Sequence, residues 1–143
     1  FLPRKSVLLR TLQQPGKLQN YVSSNEAPLN FQMAVLVNGK TASSCEVLAA
    51  ALQDHKSAVV VGTKTYGKSV IEKTFTLENE CRVKFIVQVM YTPRGRSWQS
   101  KGLLPDFAAS QDEQTYATVS QLPAEQRLRK DLPLITAYKL LNR

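Results

Sequence analysis

Apolar residues change their spacing several times along the chain, and each change marks an element. SVLLRTLQ and KLQNYVSS flank QPG, where proline and glycine signal a turn, so the chain opens with a β-hairpin. After the polar connection SNEAPLNFQ, the run AVLVN suits a buried strand, and VLAAALQ following Glu46 repeats on one face at helical spacing, ending near Asp54 and His55. SAVVVG supplies a second apolar strand. SVIEKTFTL and CRVKFIVQVMYT then carry β-branched and aromatic residues on either side of the polar turn ENE, which predicts a long antiparallel hairpin. Val83, Phe85, Val87 and Val89 form its expected inward stripe at spacing two. The loop PRGRSWQSKGLLPD follows, with Trp98 expected to cover the edge of the core. From Gln111 onward the chain reads as helical and charged. Leu128, Leu132, Ile135 and Leu140 give an approximate apolar stripe, Pro133 should start or kink a helix, and a terminal helix should pack on the sheet.

The corner between the first apolar strand and the helix falls on Gly39, Lys40, Thr41, Ala42 and Ser43. A hydroxyl there stands at the positive end of a helix, where unpaired N–H groups stabilise negative charge, a good place for a nucleophilic serine. Ser43 and Glu46 equally match the capping-box pattern, with Thr41 as an alternative cap. The single histidine, His55, lies twelve residues along the same helix, roughly 18 Å away, which excludes a Ser-His-Asp triad within this chain. His55 suits a helix C-terminus instead. The remaining base is a lysine, which needs burial or nearby positive charge to act near neutral pH. Lys68 follows the strand SAVVVG, and parallel strands joined by a helix bring equivalent ends together, so Ser43 and Lys68 can meet at one sheet edge.

Composition narrows the remaining classes. A chain of 143 residues suits one domain, 1–143, and no run of eighteen apolar residues is present. FLPRKSVLLR has charges among its apolar residues, so no signal peptide is read there, and the missing initiator methionine suggests a processed product or a fragment. The net charge of +8 gathers in Arg4, Lys5, Arg10 and Lys17, and again in Arg82, Lys84, Arg94, Arg96 and Lys101. No nucleic-acid motif with interleaved aromatics accompanies these clusters, so they read as a solvated basic face that can also attract anionic membrane surfaces or acidic substrate tails. Cys45 and Cys81 permit one disulfide or two free thiols, with Cys45 read as a packing residue. No cluster at metal-ligand spacing appears, and no cofactor is called for.

Three blocks, VNGKTASSCE, ALQDHKSAVVVGTKTYGK and YTPRGRSWQSKGLLPD, resemble in that order the C-terminal processing peptidases, or tail-specific proteases. The resemblance implies an α/β, crotonase- and ClpP-like layered fold with a strand-helix-strand core, a β-hairpin and a C-terminal helix. It implies a serine endopeptidase that cleaves proteins near their C-terminus, with Ser43 as nucleophile, Lys68 as base and the Ser44 N–H as one oxyanion donor. It further implies a protein or peptide substrate with an accessible C-terminus and an extracytoplasmic setting, periplasm or thylakoid lumen. The family's PDZ module and glycine-rich oxyanion segment are not among these 143 residues, so the chain is expected to be the C-terminal part of a catalytic domain. Membrane association and self-association stay open. Where the family places a glutamine that orients the lysine, this chain has Glu72. A carboxylate there favours the ammonium, so Glu72 should point away, be protonated, or weaken the dyad. The alternative to catalysis is a binding module for hydrophobic ligands or peptides on the same fold.

Overall fold

The computed structural model describes residues 1–13 and 15–142. The QPG turn includes Gln14, which lies outside them. Strands β1 (Val7–Gln13) and β2 (Lys17–Val22) pair antiparallel, the hairpin that the proline and glycine between them signalled. Strand β3 (Ala34–Val37) leads into helix α1 (Ser44–Asp54), which returns the chain to β4 (Val59–Gly62), parallel to β3 and in register from Ala34–Val59 to Val37–Gly62. Strands β5 (Val70–Thr76) and β6 (Arg82–Tyr91) form the long hairpin, and a short β7 (Phe107–Ala108) adds to β4 in parallel.

Two sheets result, one ordered β2-β1-β6-β5 and one ordered β3-β4-β7. The main core lies between α1 and these sheets: Val37, Ala49, Ala50, Val60, Met90, Trp98 and Leu103 are buried together, with Leu9, Val35, Val47 and Ile71 packed against them. The small alanine face of α1 lets the helix approach the strands closely. Trp98 is 1% exposed, so it fills this core instead of covering its edge.

The inward stripe assigned to β6 is corrected at Phe85, which is 57% exposed, while Met90 on the alternate face is buried. Among the described residues β6 pairs with β1 from Gln88 to Tyr91, whereas its pairing with β5 runs from Arg82 to Val89. Among the described residues the distal half of the hairpin is therefore a two-stranded ribbon that projects past the sheet and leaves Phe85 open to solvent. Cys45 is likewise corrected from a packing residue to an exposed one, and both cysteines are free thiols.

The C-terminal segment divides into α2 (Glu113–Ser120), α3 (Ala124–Lys130) and α4 (Leu132–Leu141). Asp131 ends α3 and caps α4 by accepting the Leu134 N–H, and Pro133 sits in the first turn of α4, where its missing N–H costs nothing. This break separates the stripe: Leu128 and Leu132 are exposed, while Ala137 and half-buried Leu140 pack α4 on Val61, Val59 and Ala34 of the parallel sheet. Among the described residues no helix is long and apolar enough to cross a membrane.

Candidate active site

The corner after β3 is built by short-range hydrogen bonds. Asn38 Oδ1 accepts the Lys40 N–H at 2.9 Å, and Thr41 Oγ1 accepts the Asn38 N–H at 3.0 Å. Thr41 is thereby used within the turn, and Ser43 is the residue that caps α1. Ser43 has φ 56° and ψ −120°, a conformation that non-glycine residues adopt only under constraint, at a cost on the order of 1–3 kcal/mol. The constraint is Glu46, whose Oε2 accepts the Ser43 N–H at 2.9 Å.

Glu46 does much more than complete a capping pattern. Its side chain is fully buried, and three further donors converge on it from the chain after β4: the Thr65 hydroxyl at 2.5 Å and the Gly67 N–H at 2.8 Å on Oε1, and the Lys68 N–H at 2.8 Å on Oε2. Four donors and no acceptors suit an ionised carboxylate, which compensates its removal from water. One side chain thus ties the backbone of Ser43 to the backbone of Lys68. Sequence reasoning assigned Glu46 only to the cap. The available signal was its position one helical turn before Ala49 and Ala50, on the face that enters the core.

The loop carrying Lys68 is held from its other side by the segment that follows β6. Gln99 Oε1 accepts the Ser69 N–H at 2.7 Å, the Ser100 N–H donates to Gly67 O at 2.8 Å, and the Leu103 N–H donates to Thr65 Oγ1 at 2.7 Å. The two chains approach so closely that a Cβ on Gly67 would meet Gly102 N at 2.8 Å, and one on Gly102 would meet Thr65 O at 2.2 Å. Glycine is required at both. The same segment is anchored to the end of α1: Asp54 accepts the Arg94 N–H at 2.8 Å and pairs with the Arg96 guanidinium. Burial alone would raise the Asp54 pKa, but the Thr92 hydroxyl, the Arg94 N–H and Arg96 outweigh it and hold the carboxyl below its ordinary value of 3.8.

Ser43, Ser44, Lys68 and Glu72 line one open cavity of about 530 Å³, walled by Leu9, Val47, Val70, Ile71, Lys84 and Met90. The Ser44 N–H, at the start of α1, has no hydrogen-bond partner among the described residues. Lys68 Nζ donates to Glu72 Oε2 at 2.9 Å, and no hydrogen bond joins it to Ser43 Oγ. Glu72 therefore does not point away from the lysine. Nor is it protonated at neutral pH, because hydrogen bonds from Lys68 and Lys84 outweigh desolvation and hold its carboxyl below the usual carboxylate range. His55 stands at the C-terminus of α1, as its position suggested, and its Nε2 lies 2.7 Å from Val7 O of β1.

Known proteins resemble the chain over most of its length. The family model described as peptidase family S41 matches residues 1–109. A carboxyl-terminal-processing protease of Synechocystis is 32% identical over 132 residues, covering 92% of this chain and 31% of that protein. The chloroplastic carboxyl-terminal-processing peptidase 1 of Arabidopsis thaliana is 33% identical over 108 residues, covering 75% of this chain and 22% of its own length. The solved structure of a photosystem II D1 C-terminal processing protease superposes with a TM-score of 0.74 at 29% identity, over 90% of this chain and 32% of that one. The chain thus spans about a third or less of the length of these relatives.

Proposed function

Because the chain belongs to peptidase family S41, we propose that it forms the serine-lysine part of a serine endopeptidase that cleaves proteins near their C-terminus. Ser43 Oγ attacks the scissile carbonyl, and Lys68, as a free amine, takes the hydroxyl proton and delivers it to the leaving amine. The Ser44 N–H receives the developing oxyanion at the start of α1, and water then hydrolyses the acyl-enzyme. Glu72 orients Lys68. A second oxyanion donor and a PDZ module belong, in this reading, to other parts of the protein.

The observation that carries the reading is that Ser43 and Lys68 border one cavity while their backbones are bonded to one buried carboxylate, Glu46. A strained serine held at a helix start is costly for a surface of no chemical use. The names of the relatives from chloroplast and photosystem II support an extracytoplasmic setting, thylakoid lumen or periplasm, with a protein chain as substrate. The basic surface suits association with an anionic membrane face.

The second reading, a binding module without turnover, draws on the pairing of Lys68 with Glu72 in place of Ser43. Incubation of the intact protein with unstructured polypeptides, analysed by mass spectrometry, separates the two. Endoproteolytic products near the C-terminus that disappear in Ser43→Ala support the peptidase. Retention of the polypeptide without cleavage, equal in both forms, supports the binding module.

A further inference from the structure

Two ammoniums share one carboxylate oxygen at the wall of the Ser43 cavity. Lys68 Nζ and Lys84 Nζ lie 2.9 and 3.0 Å from the same atom, Glu72 Oε2. The antiparallel register places them there: Glu72 stands opposite Ile86 and Thr74 opposite Lys84, so Glu72 and Lys84 are diagonal neighbours on one face of the ribbon.

The charge count decides what this arrangement favours. With Glu72 alone, the pair is neutral only while Lys68 keeps its proton, and proton loss leaves a bare carboxylate beside the amine. With Lys84 present, the three groups are neutral when Lys68 is a free amine and carry a charge of +1 when it is an ammonium. Sharing one oxygen at 2.9 and 3.0 Å, the two nitrogens lie within about 6 Å of each other, close enough for their like charges to repel.

We propose that Lys84 is a positioning residue for the chemistry of Ser43, the counter-charge that lets Glu72 orient Lys68 without holding its proton. The inference rests on the reading of Ser43 and Lys68 as nucleophile and base. A Glu72–Lys84 pair is then the net-neutral equivalent of the glutamine expected at position 72. Glu72 accepts an N–H from the neutral Lys68 amine, whose lone pair is left for the Ser43 proton.

The other charges around the site do not perform this role. Glu46 of α1 binds the Lys68 backbone N–H and not its ammonium. Lys73 alternates to the opposite face of the ribbon, 5.2 Å from the centre of the Phe75 ring. β1 brings Leu9 and the end of β6 brings Met90 to the cavity, and the charged groups among its lining residues are Lys68, Glu72 and Lys84.

The test is the pH dependence of labelling by a fluorophosphonate probe in the intact protein, read by mass spectrometry at Ser43. In that reaction Ser43 Oγ bonds phosphorus, fluoride leaves, and the hydroxyl proton passes to Lys68. Lys84→Met should slow labelling at pH 7 by about three- to tenfold and displace the profile to higher pH. The Lys84 side chain is 59% exposed, so this change leaves the core intact. Lys84→Arg should restore the profile. Lys73→Met, which removes the same charge from the other face, should leave it in place. Glu72→Gln combined with Lys84→Met should label at least as fast as the unmodified protein. A Lys84→Met profile that superposes on the parent, or a double variant as slow as Lys84→Met, overturns the inference while leaving the Ser43–Lys68 reading standing. Absence of Ser43 labelling in the unmodified protein overturns both.

Discussion

Glu46→Gln is the substitution that most sharply tests how the candidate site is held. The change is nearly isosteric, so the core around Ala49 and Ala50 stays filled and only the hydrogen bonding alters. Oε1 faces the Thr65 hydroxyl and the Gly67 N–H, and Oε2 faces the Ser43 and Lys68 N–H groups. An amide NH2 turned toward the second pair meets two donors. Turned toward the first pair it meets one hydroxyl that can accept and one N–H that cannot, so the better rotamer still orphans the Gly67 N–H. An orphaned buried donor costs about 1–3 kcal/mol, and each remaining bond loses the advantage of a charged acceptor, about 1 kcal/mol. The expected loss is therefore about 3–5 kcal/mol, a large share of the roughly 5–15 kcal/mol that holds a domain together. Urea unfolding measures it. Among molecules still folded at low urea, fluorophosphonate labelling of Ser43 should fall about a hundredfold, because the corner and the lysine loop are no longer bonded to a common atom pair. A loss under about 1 kcal/mol with unchanged labelling would refute the assignment of Glu46 as the tie between them.

Three further outcomes follow from the same geometry. Ser43→Gly should be more stable to urea than Ser43→Ala by about 1 kcal/mol, since glycine relieves the positive φ that alanine keeps; equal stabilities would show the corner to be unstrained. Gly102→Ala should destabilise the fold by more than about 2 kcal/mol, because its Cβ would sit 2.2 Å from Thr65 O at φ 71°, and thermal unfolding of that variant checks it. The Asp54 carboxyl titrates below its ordinary value of 3.8 in the folded chain, so the unfolded chain binds that proton first as pH falls. Its contribution is complete above pH 3.8 and is lost as pH drops through the folded value; an acid unfolding curve of Asp54→Asn parallel to the parent in that window would contradict this.

Legibility from the sequence followed the range of the interactions involved. The strand-helix-strand unit was readable because apolar runs and helical spacing are local patterns, and the break at Pro133 because proline lacks an N–H wherever it stands. The role of Glu46 was not, since three of its four donors lie 19 to 22 residues away and belong to a loop whose approach depends on Gly67 and Gly102. Phe85 was misassigned because alternation along β6 says which residues share a face but not how far the neighbouring strand extends. Lys84 carried no signal, as its meaning depends on the register between β5 and β6.

The most direct test of the proposed dyad is the rate of Ser43 acylation by a fluorophosphonate across pH 6 to 10, in the unmodified intact protein and in Lys68→Met. Label is expected on Ser43 alone, at a rate that rises with pH, and should be nearly lost in Lys68→Met at every pH. Equal labelling of Ser43 with and without the Lys68 amine would contradict the claim that Lys68 is its base.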